Sequence, residues 1–166
     1  IQSLENYLGS YSDQKESLLL ELQKDYTWAC HASRPRLVPL FESVYKEGKL
    51  LQDSTFQINR LYYEAGLDVE KSFTLPPDHI AVQLEFMSFL CYELIQGLQD
   101  ADQEIITKAR DLRKQVIEQH LGQFGKSFAQ KFQEHGKTPF YKNMATCLEA
   151  LLLWEDSSKA AQTMIN

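Results

Sequence analysis

The sequence predicts an all-α fold, a helical bundle of six or more helices joined by short connections. Three observations predict it. Only 7 Gly and 5 Pro punctuate 166 residues. No Asn-Gly or Asp-Gly hairpin signal occurs anywhere in the chain. Apolar residues recur at a period near 3.6 instead of alternating. A length of 166 residues fits one domain, expected to span 1–166.

Each element has its own signal. In the first long segment Leu18, Leu22, Tyr26 and Ala29 form one stripe, with Leu19 and Cys30 beside it. Pro39 to Gly48 reads as a shorter helix or turn. The next helix is expected to open at Ser54 as N-cap. It carries Ile58, Leu61, Tyr62 and Ala65 and stops at Gly66. A third follows Leu75-Pro76-Pro77, with proline in the first turn, where its missing N–H has no intrahelical partner. Its stripe is Ile80, Leu84, Met87, Cys91 and Leu94, and Gly97 is expected to end it. The fourth bears Ile105, Ala109, Leu112, Val116 and His120 and closes at Gly122. Phe124, Phe128 and Phe132 follow at i+4 spacing. Thr138-Pro139 opens the last helix, which continues through Tyr141, Met144, Leu148, Leu151 and Leu152.

Composition narrows the function classes. Hydrophobic residues make up 43% and charged residues 24%, which excludes disorder and fibrous repeats. Seventeen Lys and Arg against 23 Asp and Glu leave a net charge of −6, which argues against nucleic acid and for cationic partners. Cys30, Cys91 and Cys147 stand far apart with no CxxC spacing, the pattern of buried free thiols in a reducing compartment. The longest apolar run, Ala150 to Trp154, falls far short of the ~20 residues that span a bilayer. The chain opens at Ile1, and its first segment has no signal-peptide pattern. The expectation is a cytoplasmic protein without stable membrane insertion.

Enzyme motifs are missing. The sequence has no GxxxxGK[ST], HExxH, GxSxG or GxGxxG. His31, His79, His120 and His135 never fall three or four apart, and no Cys accompanies them at zinc spacing. No catalytic residue, metal or cofactor is expected.

One segment is chemically unusual, Pro77-Asp78-His79 leading to Glu85-Phe86. Asp78 and Glu85 are seven apart, so on a helix both carboxylates would line one face ~10.5 Å apart. His79 would project roughly 100° away, in line with Phe86. Two readings stay open. Asp78 either complements the positive end of a helix, with Glu85 solvated, or the two carboxylates hold a guanidinium. Phe41, Tyr45, Phe56, Tyr62, Tyr63 and Phe73 cluster upstream, as core residues or as an aromatic wall beside an acidic groove. His120 falls on an apolar stripe, so a hydrogen-bonded core histidine is preferred to a catalytic one.

At these residues the sequence resembles the redox-enzyme maturation chaperones of the TorD/DmsD/NarJ type, over about Leu37 to Leu152. Pro39-Leu40-Phe41-Glu42-Ser43-Val44-Tyr45 is similar to that family's Pro-x-aromatic-Glu-Ser-Val-Tyr segment. Tyr62-Tyr63-Glu64-Ala65-Gly66-Leu67 is similar to its aromatic-rich turn. Pro77-Asp78-His79 followed by Gln83-Leu84-Glu85-Phe86-Met87 resembles its signature helix. Gln119-His120-Leu121-Gly122 and Thr138-Pro139-Phe140-Tyr141 fit the later helices. Phe124 stands where many relatives carry tryptophan. Pro76 stands where an acidic residue is common.

The resemblance implies a non-enzymatic, all-helical chaperone. It would bind the twin-arginine signal peptide, or N-terminal region, of a molybdopterin-dependent oxidoreductase subunit and hold it for cofactor insertion before export. Under that expectation Asp78 and Glu85 contact the arginine pair, and His79 orients Asp78 or donates to a peptide carbonyl. Tyr62, Tyr63, Glu64 and Gly66 shape the neighbouring wall, His120, Leu121 and Phe124 line the apolar part, and Pro77 and Phe86 complete the peptide-binding set. Two alternatives accompany it: an adaptor for the folded catalytic subunit of a non-exported oxidoreductase, and a metal-dependent helical hydrolase using Asp78, His79 and Glu85. Monomer and domain-swapped dimer are both compatible with the resemblance.

Overall fold

The computed structural model describes residues 2–32, 34–68 and 74–163, with side chains described from Leu4 through Glu155. Phe73, part of the expected aromatic cluster, lies outside the described residues. Among these residues the fold is all-α: α1 Gln2–Gly9, α2 Lys15–Thr27, α3 Glu42–Lys46, α4 Asp53–Glu64, α5 Ile80–Asp100, α6 Gln103–Gln115, α7 Gly122–His135 and α8 Pro139–Thr163. Two π-helical turns, Trp28–Ala32 and Val116–Leu121, extend α2 and join α6 to α7. The chain divides into two compact units, Ile1–Pro39 with Gly125–Asn166, and Leu40–Phe124.

In the first unit the apolar interior is built from Ala29, Cys30, Val38, Phe128, Ala129, Phe132, Ala145, Leu148 and Leu152. Phe132 stacks on Tyr141 with ring centroids 5.3 Å apart. Asp25, buried near the end of α2, fixes the start of α8. Its carboxylate accepts from Lys137 N at 2.9 Å, and from Thr138 N and Thr138 Oγ1 at 2.7 Å each. Thr138-Pro139 opens α8 as expected, with proline at the first helical position, but a carboxylate from α2 completes the cap.

The second unit buries Ile58, Leu61, Tyr62, Ile80, Phe86, Met87, Leu90, Ile106, Ala109, Leu112, Val116, Ile117, Leu121 and Phe124. Several helix ends differ from expectation. The first residue of α4 is Asp53 rather than one that follows a Ser54 cap. Ser54 instead gives its N–H and its hydroxyl to Glu47. Pro76 and Pro77 lie outside α5, whose N-cap is His79: Nδ1 accepts from Ala81 N at 3.1 Å.

Gly97 does not end α5. It lies inside the helix, where an added Cβ would sit 3.0 Å from Ile106 Cγ1, so its role is close approach of α6. The stop comes at Ala101, left-handed with φ 56°, followed by Asp102 as N-cap of α6. Asp102 Oδ1 accepts from Glu104 N at 3.0 Å and Ile105 N at 3.1 Å.

Gly122 does not close a helix either, since α7 begins there. A Cβ at that position would stand 2.2 Å from the Ile117 carbonyl oxygen, so the wide π turn requires glycine. The thiols also differ from expectation: all three are free, but only Cys30 is buried. The inward face of α5 runs through Gln83, Phe86, Met87 and Leu90, which leaves Cys91 on the outer side.

Candidate functional site

The chemistry of the second unit centres on Glu42, at the start of α3. Its side chain has no exposed surface, and its carboxylate is surrounded by donors. His120 Nδ1 lies 3.0 Å from both Glu42 oxygens. Gln83 Nε2 donates to Oε2 at 2.7 Å, and Lys46 Nζ donates to Oε1 at 3.0 Å. Lys46 also donates to the Gln119 carbonyl at 3.0 Å. One carboxylate thus ties α3 to α5 and to the π-helical turn. A buried charge needs this many partners, because desolvation costs more than one ion pair returns.

A second clamp joins the same elements. Glu42 N donates to the Asp78 carbonyl at 3.0 Å, and Ile80 N to the Leu40 carbonyl at 2.9 Å. The Asp78 side chain is fully buried, with Oδ2 accepting from Ser43 N at 3.0 Å. Its other oxygen, Oδ1, has no hydrogen-bond partner among the described residues. A buried carboxylate oxygen left unsatisfied is rare and costly. The ring of His79 stands edge-on to Phe41 at 5.2 Å.

Tyr62 closes the junction, its hydroxyl donating to the Pro77 carbonyl at 2.8 Å. Burial, reinforced by the charges of Glu42 and Asp78, pushes its phenol well above the ordinary tyrosine range. From Tyr62 an aromatic chain continues along α5. Phe86 packs edge-on to Tyr62 at 4.7 Å, and Phe89 stacks on Phe86 at 6.3 Å.

The expected site residues therefore divide into two groups. Asp78, His79, Tyr62, Phe86, His120, Leu121 and Phe124 are buried, and Pro77 is half-buried. Tyr63, Glu64, Gly66 and Glu85 are exposed. Asp78 and Glu85 do not share a helical face, because Asp78 precedes α5 and points inward while Glu85 faces solvent. On α5 the residue that pairs with Glu85 is Glu93. Glu85, Phe89 and Glu93 follow one another at i+4 spacing, with the carboxylates ~12 Å apart around an aromatic ring.

Two residues that carry this arrangement, Glu42 and Gln83, are absent from the set expected from sequence. Their signal was a charged or amide residue set among apolar neighbours, Leu40-Phe41 and Val44 for Glu42, Ile80 and Phe86-Met87 for Gln83. Among the described residues no three His, Cys, Asp or Glu side chains gather as a metal-binding cluster. No described helix is long and apolar enough to cross a membrane.

The second unit is thus a helical scaffold locked by buried polar clamps, with carboxylates and rings on its outer face. The family model described as nitrate reductase delta subunit matches residues 1–130, and the chain belongs to that family. It is 24% identical over 159 residues to the chaperone protein TorD of Shigella boydii serotype 18, covering 96% of this chain and 73% of that protein. The TorD of Photobacterium profundum is 35% identical over 99 residues, 58% of this chain and 45% of that protein. The TorD of Salmonella arizonae is 25% identical over 146 residues, 88% and 64% respectively. These relatives are named as chaperones and not as enzymes, and the expectation of a TorD-type, non-enzymatic chaperone stands on them. No solved structure matches the chain.

Proposed function

We propose that the protein is a cytoplasmic maturation chaperone for a redox enzyme, and that its ligand is the twin-arginine signal peptide, or N-terminal region, of a molybdopterin-dependent oxidoreductase subunit. Binding would hold that subunit for cofactor insertion before export. Family membership supports the class. The observation that carries the ligand is the α5 face on which Glu85, Phe89 and Glu93 succeed one another. A leader that is basic at its start and apolar beyond needs carboxylates beside apolar and aromatic surface.

In this reading Glu85, Glu64, Tyr63 and the turn at Gly66 meet the peptide. Pro77, Asp78, His79, Tyr62, Phe86, His120, Leu121 and Phe124 act as positioning residues that hold α4, α5 and the π-helical turn in register. Guanidinium is preferred to ammonium because its planar fork meets carboxylates bidentately.

The test is a titration of a twin-arginine peptide, and of its twin-lysine counterpart, against wild type, Glu85→Gln and Asp78→Ala. Saturable binding of the arginine peptide, weaker for the lysine peptide and for Glu85→Gln, is expected. Asp78→Ala should lower thermal stability together with affinity. Equal binding of the two peptides would contradict the reading.

A second reading is favoured by the description of the matching family, nitrate reductase delta subunit. The chain would then be an adaptor for the folded catalytic subunit of an oxidoreductase. Survival of the complex after the client's leader is deleted would select it.

A further inference from the structure

The last helix, α8, is apolar on two faces. Ala145, Leu148 and Leu152 are buried. On another side Met144, Cys147, Leu151 and Trp154 are exposed, Met144 by 48% and Trp154 by 58%. Their spacing of three, four and three places them at the a and d positions of two successive heptads, Met144 and Leu151 at a, Cys147 and Trp154 at d. Ala150, at g, is exposed and small, which lets a second backbone come close. From Asn143 to Trp154 the one ionised residue is Glu149, at f, on the side of the helix opposite the seam. An amphipathic surface helix carries its charges on the face turned away from the core. In this stretch of α8 that face has none.

We propose that this seam pairs with the same seam of a second copy of the chain, the two α8 helices running antiparallel about a two-fold axis level with Glu149. Met144 and Trp154 are equidistant from Glu149, as are Cys147 and Leu151. Reversal about that level therefore sets every a residue against a d residue. Met144 meets the partner's Trp154, a favourable thioether–indole contact, and Cys147 meets the partner's Leu151, each twice by symmetry. The seam and its flanks expose roughly 500 Å² per copy, ~1,000 Å² for the pair, the lower end of specific interfaces. The pair is therefore a weak one that dissociates on dilution, and Cys147 stays open to thiol reagents. Other occupants fit this face less well. A basic leader needs carboxylates, which the seam lacks, and an anionic lipid surface needs a basic rim beside the apolar residues. The inference is independent of the leader-binding reading.

The experiment is sedimentation velocity on the full chain from ~1 to ~100 µM. It compares wild type, Met144→Glu/Leu151→Glu, and Leu98→Glu as a control at an exposed apolar position of α5, after circular dichroism at the lowest concentration has shown equal helicity. Wild type and Leu98→Glu should pass from monomer toward dimer over the same range, and the double variant should associate at least about tenfold more weakly. A second arm leaves the seam intact. In Cys91→Ser, a short bis-maleimide should join two chains through Cys147, because the two thiols stand only ~6 Å apart along the axis. Dilution to the monomer range should abolish the cross-link. A wild type that is monomeric throughout, a dimer untouched by the double variant, or no cross-link at Cys147 would each overturn the proposal.

Discussion

Glu42→Ala is the perturbation whose consequence follows most directly from the geometry. The side chain is fully buried and accepts from His120, Gln83 and Lys46. Truncation leaves His120 and Gln83, both buried, without the acceptor each now has. A buried donor left unsatisfied costs roughly 1–3 kcal/mol, so the two together cost about 2–6 kcal/mol. Lys46 adds little, because its side chain is 30% exposed and can turn to water.

The expected loss is therefore about 2–6 kcal/mol, a large part of the ~5–15 kcal/mol that a domain commands. Lys46→Ala should cost under ~1 kcal/mol. The assay is urea unfolding followed by far-ultraviolet circular dichroism. Fluorescence is unsuitable because Trp28 and Trp154 both lie in the first unit, outside Leu40–Phe124. With a slope of ~2 kcal/mol per molar urea, the midpoint should fall by ~2 M. A fall below ~0.5 M, or equal effects of Glu42→Ala and Lys46→Ala, would refute the claim that one carboxylate ties α3 to α5 and the π turn.

Three further outcomes are expected. Asp25→Ala removes the acceptor of three donors at the start of α8 and should cost about 1–3 kcal/mol in the same assay, whereas Asp13→Ala, at an exposed position, should be near neutral. Gly122→Ala places a methyl group against the Ile117 carbonyl and should destabilise the second unit by more than the typical ~1 kcal/mol of a point substitution; a neutral or stabilising result would show that the π turn tolerates a side chain. A thiol reagent at neutral pH should label Cys91 and Cys147 in the native protein, with Cys30 reacting only after unfolding. Burial raises the Cys30 thiol from 9.0 to about 12. The unfolded chain therefore loses that proton first, and stability present below pH 9 should fall as pH rises from 9 toward 12. A stability that climbs across this window would contradict the assignment.

The sequence read the architecture better than the site, and the reason is physical. Helical periodicity comes from backbone geometry and survives in any apolar stripe, so α4, α5, α6 and α8 were legible from Ile58, Ile80, Ile105 and Leu148 onward. Glycine is ambiguous, since a helix stop and a close approach use the same residue. Gly97 and Gly122 look like helix stops in the sequence, but one admits Ile106 and the other the Ile117 carbonyl.

The carboxylates were harder. Asp78 and Glu85 have helical spacing in the sequence, but the helix begins at Ile80, so one carboxylate is folded inward and the other is left in solvent. Glu85 and Glu93, eight residues apart with Phe89 midway, lie wholly within α5. Glu42 was invisible as a buried centre because glutamate is almost never fully buried unless paired, and its buried partners, Gln83 and His120, lie 41 and 78 residues away. The core role of His120, in contrast, was legible from its place on an apolar stripe.

The measurement that tests the account most directly is amide chemical-shift mapping of the isotope-labelled protein as a twin-arginine leader peptide is added. Saturable shifts at Tyr63, Glu64, Glu85, Phe89 and Glu93, with the amides of α2 and α8 unmoved, are the predicted result. Shifts confined to α2 and α8, or no saturable change at all, would contradict it.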